Sequence, residues 1–464
     1  MTRTLAINKI IAVVFILLVG PFFSGCNPAK SDLAVFNCQF EAADYNNAGL
    51  FAQKKIKNGK NPSGDDLLWT LQFASAERMQ FNYRQAIASF DKAEEMMNFY
   101  APQSEIVDAV GSTIVNDNVV PYKGAEYDGV MINTYKALDF LAEKNFDLAR
   151  VEFNRALERQ TRAKEHFAAE IRKLETQLAN QKQKTSADAG AMANDPNILK
   201  IVNAHYPNID QFQPYPDFVN PAATYLAGLY FNLVGDYDKA GYLLKETSGM
   251  VPDNTFIAED LLLTDDVIAG KAKFENLVWV IFENGLGPVK EEIRIDLPLF
   301  LATSRVYYTG IALPRLQPRS IAHSCLFVRT DAGAYQTKQV ADMERVIQTE
   351  FQKEFGGILA RAIASAVVKA AAQASLQNQR NGGWAALVMA AYTAATTAAD
   401  VRIWSTLPKD FQVARCAIPA DRKLQISPDG GVPFEVNIPS CKNAIVYVRI
   451  VRAGTQPMFE VLAF

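Results

Sequence analysis

Apolar residues recur at helical spacing from about residue 37 to residue 272, and at β-type spacing, alternating or continuous, from 273 to 464. The helical half repeats one pattern. Its clearest copy starts at Pro221 and ends at Pro252, with Leu226, Ala227, Gly228 and Phe231, then Gly235-Asp236-Tyr237, then Ala240 and Leu244. Phe81-Asn82-Tyr83 with Ala86, Phe90 and Ala93 repeats the offsets, and Asp65 is expected to cap the helix before it. Asn145-Phe146 with Ala149, Phe153 and Ala156 repeats them again, behind a helix expected over 130–142. Asp44-Tyr45 with Ala48 and Ala52 reads as the second half of a degenerate copy. Each feature has a mechanical reason: Gly228 admits a close helix neighbour, Gly235-Asp236 turns the chain, Ala240 fits where paired helices touch, and Pro252 ends the second helix. Equivalent alanines at 48, 86, 149 and 240 lie 38, 63 and 91 residues apart, which predicts an irregular stack of helix pairs.

Phe167, Ile171, Leu174 and Leu178 prolong the third pair's second helix, which is expected to pack on its own stack. Residues 181–196 lose all periodicity and read as a mobile loop, and 196–221 as a Pro- and aromatic-rich connector. In the second half, Leu277 to Phe282 is a continuous apolar run, Gly285-Leu286-Gly287-Pro288 a turn, and Glu291 to Asp296 an alternating strand. Further strands are predicted at 306–312, 321–329, 411–417, 424–426, 434–438, 444–451 and 458–462. Helices over 342–375 and 384–399, joined by Asn381-Gly382-Gly383, make an Ala-rich helical hairpin spanning 342–400. The expected fold class is α+β: an irregular α-solenoid over 37–272, then a β-rich domain over 273–464 with the hairpin inserted.

The offsets of the Pro221–Pro252 copy resemble the tetratricopeptide (TPR) repeat, with small or apolar residues at positions 7 and 8, an aromatic at 11, Gly-Asp-Tyr at 15–17, Ala at 20 and Pro at 32. That resemblance implies a groove lined by the first helix of each pair. By the same count Leu71, Arg78, Leu138, Tyr225, Leu229 and Asn232 fall on it and form the candidate binding surface. It is more apolar than an open peptide groove, so either a hydrophobic partner segment or the protein's own second half fills it. Exposing so many Leu and Met residues is costly, which favours self-packing.

Composition matters most at the N-terminus. Arg3 and Lys9 precede an apolar run from Ile10 to Val19, about half of the ~20 residues needed to span a bilayer. Ser24-Gly25-Cys26 then resembles a bacterial lipoprotein box, although Phe23 stands where that family usually has Leu. The resemblance implies a signal peptide over 1–25, a diacylglycerol on the Cys26 thiol and a lipidated tether over 26–36. Asn27 is not the Asp that commonly retains such proteins at the inner membrane, which implies the periplasmic face of the outer membrane. Without residues 1–25 the chain has 45 basic and 50 acidic residues, net −5, so nucleic acid is not an expected partner. In an oxidising compartment the four remaining cysteines can pair: Cys416 with Cys441 is the expected disulfide, while Cys38 and Cys325 are either a second staple or buried thiols.

Candidate chemistry is sparse. His166, His205 and His323 lie in separate segments without ligand spacing, so neither a metal site nor a cofactor is expected. His323-Ser324-Cys325 is the one local cluster of nucleophile and base, but on a strand such a trio is more often structural. The adjacent carboxylates Asp265-Asp266 and Glu291-Glu292 diverge on a helix or strand and cannot share a proton. Gly285-x-Gly287 is followed by Pro288, which suits a turn and not a phosphate cradle.

Segments 66–93, 280–298 (VIFENGLGPVKEEIRIDLP) and 398–415 (AADVRIWSTLPKDFQVAR) resemble a group of uncharacterised bacterial TPR-type outer-membrane lipoproteins. The resemblance implies an envelope location and a TPR half followed by a β-rich half, and it supplies no catalytic residues. The expected function is a lipid-anchored scaffold for other cell-envelope proteins, such as lipoproteins linked to wall synthesis or secretion, rather than an enzyme. The alternatives are a cell-wall-acting enzyme or an accessory part of an outer-membrane secretion or assembly machine.

Overall fold

The computed structural model describes residues 28–57, 64–100, 121–185, 188–206, 215, 219–298, 308–377 and 398–464. Its first element departs from expectation. Where a tether was expected to residue 36, helix α1 (Pro28–Glu41) already begins at Pro28. Leu33, Phe36 and Phe40 form a buried stripe on it, and the Phe36 ring meets the edge of Trp69 at 6.2 Å. Burial of that stripe makes the segment a helix. Pro28 suits the start because its fixed φ is already helical.

α1 pairs with α2 (Tyr45–Lys55). Three more antiparallel pairs follow: α3 (Asp66–Met79) with α4 (Tyr83–Phe99), α5 (Glu126–Ala142) with α6 (Phe146–Thr185), and α9 (Pro221–Leu233) with α10 (Tyr237–Met250). All four turns share one geometry. Ala43, Phe81, Lys144 and Gly235 are left-handed, with φ of 61°, 61°, 59° and 84°. The next residue's N–H reaches back five residues in each: Asp44 to Gln39, Asn82 to Glu77, Asn145 to Phe140 and Asp236 to Phe231, at 2.9, 3.0, 2.8 and 2.8 Å. This closes the first helix and aims the chain back along it. Ala48, Ala86, Ala149 and Ala240 are fully buried, and a Cβ on Gly228 would come within 3.3 Å of Leu243 and Leu244, as close helix pairing requires. Asp65 does sit at the N-cap of α3, but its side chain makes no capping bond and pairs with Arg402 at 2.8 Å instead.

After α11 (Thr255–Ile268) the chain turns to β structure. The strands β1 (Leu277–Asn284), β6 (Lys338–Asp342), β7 (Asp410–Ala417), β10 (Asn443–Ile450) and β11 (Met458–Ala463) form a five-stranded sheet ordered β11-β10-β1-β7-β6, with β1 and β10 parallel. A second sheet, β5-β4-β8-β9, comprises β4 (Leu326–Thr330), β5 (Gly333–Gln336), β8 (Lys423–Pro428) and β9 (Phe434–Asn437). Strands β2 (Val289–Pro298) and β3 (Tyr308–Gln317) form a separate ribbon. The short polar strands β5 and β6 escape the sequence pattern because neither carries a run of alternating apolar residues. Helix α12 (Met343–Gln377) leaves β6, and the chain re-enters the sheet at the adjacent β7, so a helical insertion does interrupt the β half. Of the expected second hairpin helix, residues 384–397 lie outside the described residues, and Ala398 and Ala399 are not helical.

One apolar core crosses the boundary at residue 272, joining Phe90, Leu138 and Leu229 of the helices to Trp279, Phe282 and Val446 of the sheet. A smaller core unites α12 with the ribbon through Ile295, Leu297, Ile311 and Leu313, and with α7 (Ala189–Ala193) and α8 (Pro196–Ala204). This corrects the mobile-loop expectation for 181–196: α6 runs on to Thr185, and Ala189, Met192 and Ala193 are buried in that second core. Asp188 caps α7, accepting the Ala191 N–H at 2.9 Å. The far half of α6 packs on α12 and not on its own stack. At the crossing a Cβ on Gly357 would lie 2.7 Å from Leu174, so glycine lets the two helices meet.

Candidate functional site

The six groove positions are covered by the protein's own β half and by α11. Leu71, Arg78, Leu138, Tyr225, Leu229 and Asn232 are all buried, so they are not an open binding surface. The concave face of the helix pairs is closed by β1, β10 and residues 401–407. Trp404 crosses from that segment, donating its indole N–H to Ser75 Oγ at 2.9 Å and packing against Phe90 and Tyr135.

At the centre lies a carboxylate that the groove count did not include. Glu283, near the end of β1, accepts hydrogen bonds from the hydroxyls of Tyr135 and, at 2.7 Å, Tyr447. Arg78 Nη1 donates to Glu283 Oε2 at 3.4 Å, and Arg449 Nη1 stands 3.2 Å from Oε1. Arg78 also pairs with Asp139 at 2.8 Å and stacks over Tyr135 at 4.5 Å, while Arg449 donates to the Thr406 carbonyl at 3.0 Å. Burial opposes charge on Glu283, but Arg449, Arg78 and the two tyrosines outweigh it and hold the carboxyl below its ordinary range. Asp139 goes the other way: burial pushes it up to about 7 despite Arg78, and its second oxygen has no partner. Sequence did carry a signal here. Glu283 and Arg449 are charges inside otherwise apolar strand runs, VWVIFEN and IVYVRI, which demand buried partners.

A second buried centre surrounds Asp260 of α11. It accepts from Tyr225 Oη at 2.8 Å, Trp279 Nε1 at 3.1 Å and Arg415 Nη1 at 2.8 Å, and burial still pushes it up to about 6. Asn232 exchanges hydrogen bonds with Thr264 beside it. A third carboxylate, Glu350 of α12, accepts the N–H groups of Glu126 and Tyr127 at 2.8 and 3.3 Å, capping α5 from outside. Burial pushes Glu126 up to about 7.

The side chains of the His323-Ser324-Cys325 trio each have partners of their own, with Ser324 Oγ also 3.8 Å from Cys325 Sγ. His323 Nδ1 bonds the Asp429 carbonyl at 2.8 Å, and Ser324 donates its hydroxyl to the Asp429 carboxylate, so both fasten the turn after β8. Cys325 is buried and its sulfur receives an N–H from Gln336 at 3.1 Å. Glu291 pairs with Arg315 and Glu292 with Arg294, each carboxylate going its own way. Cys38, Cys325, Cys416 and Cys441 are all free thiols, which corrects the expected Cys416–Cys441 disulfide; of the pair left open, Cys325 is a buried thiol and Cys38 an exposed one. Cys416 sits on β7, opposite Val278 of β1, and Cys441 leads into β10 on the other side of β1. Two inter-strand steps of ~4.8 Å part them, beyond the ~7 Å limit between bridged Cα atoms. Among the described residues no group of His, Cys, Asp or Glu is arranged to hold a metal ion, and no helix is long and apolar enough to cross a membrane.

No family model matches the chain, and no curated protein is similar enough to count as a relative.

Proposed function

We propose that this protein is a lipid-anchored scaffold of the bacterial envelope, held at the periplasmic face of the outer membrane through Cys26. Four TPR-like helix pairs and the β-rich half act as one rigid body that binds other envelope proteins. One observation carries this reading: the polar groups of the concave face are spent on internal pairs around Glu283 and Asp260, which leaves the outer surface for partners. Buried ionic centres at the junction of two halves favour one fixed relative arrangement, the property a scaffold needs. The helix pairs differ from a TPR receptor in one respect, since their groove holds the protein's own strands and not a peptide.

Two measurements test it. Cys26→Ser, with mass measurement and membrane fractionation, should give a protein lacking acyl mass and released from the membrane; an unchanged membrane-bound product refutes the anchor. Pull-down from cross-linked membranes should recover envelope proteins equally with the wild type and with His323→Ala or Cys325→Ser. Recovery of no envelope protein, or loss of cellular function in those folded variants, overturns the scaffold reading.

A further inference from the structure

α1 starts at Pro28, so Asn27 alone separates it from Cys26. A lipid on Cys26 would therefore be attached almost directly to a rigid helix, and the end of the molecule around Pro28 must lie at the bilayer surface. That end is basic. Lys30 is exposed in the first turn of α1, and Lys54 and Lys55 occupy the last turn of the antiparallel α2, with exposed Lys57 just beyond. An ion pair from Lys55 to Asp32, 2.5 Å long, ties the end of α2 to the beginning of α1. Acidic groups close by are already engaged: Asp32 by Lys55, Asp65 by Arg402, and buried Asp66 by the Lys57 backbone N–H at 2.7 Å. With Lys55 paired to Asp32, the three lysines Lys30, Lys54 and Lys57 stand against a chain whose net charge from Cys26 onward is −5. The acidic residues Glu41 and Asp44 lie at the other end of α1 and α2, about 15 Å along the helix axes.

We infer that Lys30, Lys54 and Lys57 form a headgroup-contact surface for anionic phospholipid, which holds the helix pairs upright on the membrane with their left-handed turns pointing away. The inference rests on the anchor reading above. It adds an orientation that a lipid alone does not impose, because an acyl chain attaches one point while a charged patch fixes a face.

The test uses the mature protein in vesicles of phosphatidylcholine, alone or mixed with phosphatidylglycerol, with amine acylation read by peptide mass. Labelling of Lys30, Lys54 and Lys57 should fall at least about threefold in the anionic vesicles, given the attraction expected per lysine at such a surface. Lys144, exposed at the turn end of the third pair, is the control and should label alike in both. High salt should restore labelling of the patch. In the double variant Lys54→Glu/Lys57→Glu, Lys30 should label equally in both lipids. An acylated protein that floats with the vesicles but labels identically in both overturns this inference alone. A protein whose N-terminus carries no acyl mass overturns the anchor reading and this inference with it.

Discussion

Replacing Glu283 by Gln removes one charge from the centre of the molecule and keeps its shape. The side chain lies 1 % exposed between two guanidinium groups, Arg78 at 7 % and Arg449 at 2 %. A glutamine oxygen can still accept one of the two tyrosine hydroxyls, so the hydrogen-bond loss is confined to roughly 1–2 kcal/mol. The larger effect is electrostatic. Asp139 remains as the one carboxylate paired with Arg78, and Arg449 loses its ion-pair partner. Breaking a buried pair from one side costs about 3–5 kcal/mol. Set against a typical total of about 5–15 kcal/mol, that is a large fraction of the folding free energy. Because the core is continuous across both halves, the loss should appear as one shifted urea transition with an unchanged slope. Glu435→Gln is the reference, since its pair with Lys423 is half exposed on both sides and its loss should leave the transition close to that of the wild type. A Glu283→Gln loss below about 1 kcal/mol would refute the reasoning, because the two arginines would then need no buried counter-charge.

Three further outcomes follow from the same geometry. Burial raises Asp139, Asp410 and Glu126 to about 7 and Asp128 and Asp260 to about 6, so the folded state binds more protons than the unfolded chain between the ordinary carboxylate range and neutrality. Their contribution is complete near pH 4 and is lost as pH climbs through 6 to 7; melting temperature measured from pH 5 to 8 should fall, and a flat or rising profile contradicts the burial account. Native alkylation should modify exposed Cys38 quickly, whereas buried Cys325 and Cys416 should react only after unfolding, Cys416 also because burial pushes its own thiol up to about 12; a linked 416–441 peptide would contradict the strand order. At the shared turn, Ala43→Gly should gain up to about 1 kcal/mol by relieving left-handed strain, and Gly235→Ala should lose about as much, both read by urea unfolding.

The order of elements was legible along the chain, and the reason is local. Helix pairing is written as small residues at contacts and as the residue before each Asp/Asn-aromatic step, so four turns 38 to 91 residues apart could be aligned by eye. The strands at 277–284 and 443–450 announced themselves as apolar runs, and the insertion of α12 as an Ala-rich helix between them. Where local pattern is silent, the expectations failed. Pro28–Glu41 is a helix because Trp69 and its neighbours cover Phe36, and Ala189–Ala193 is ordered because α12 lies against it. Neither burial can be read from the segment alone. The groove was the sharper case. The repeat count put Arg78, Leu138 and Tyr225 on one candidate surface, but all three are buried, and what covers Arg78 depends on a contact to Glu283, 205 residues away. The cysteines show the same limit, since Cys416 and Cys441 are near in sequence but parted by β1, a strand that comes from more than a hundred residues earlier. By itself the sequence determined the helix pairs and the β half, because each depends on neighbours within a turn or a strand. Tertiary structure alone decided that the inner face of the helix pairs is covered from within, because burying that apolar face and pairing Arg78 requires the far half of the same chain.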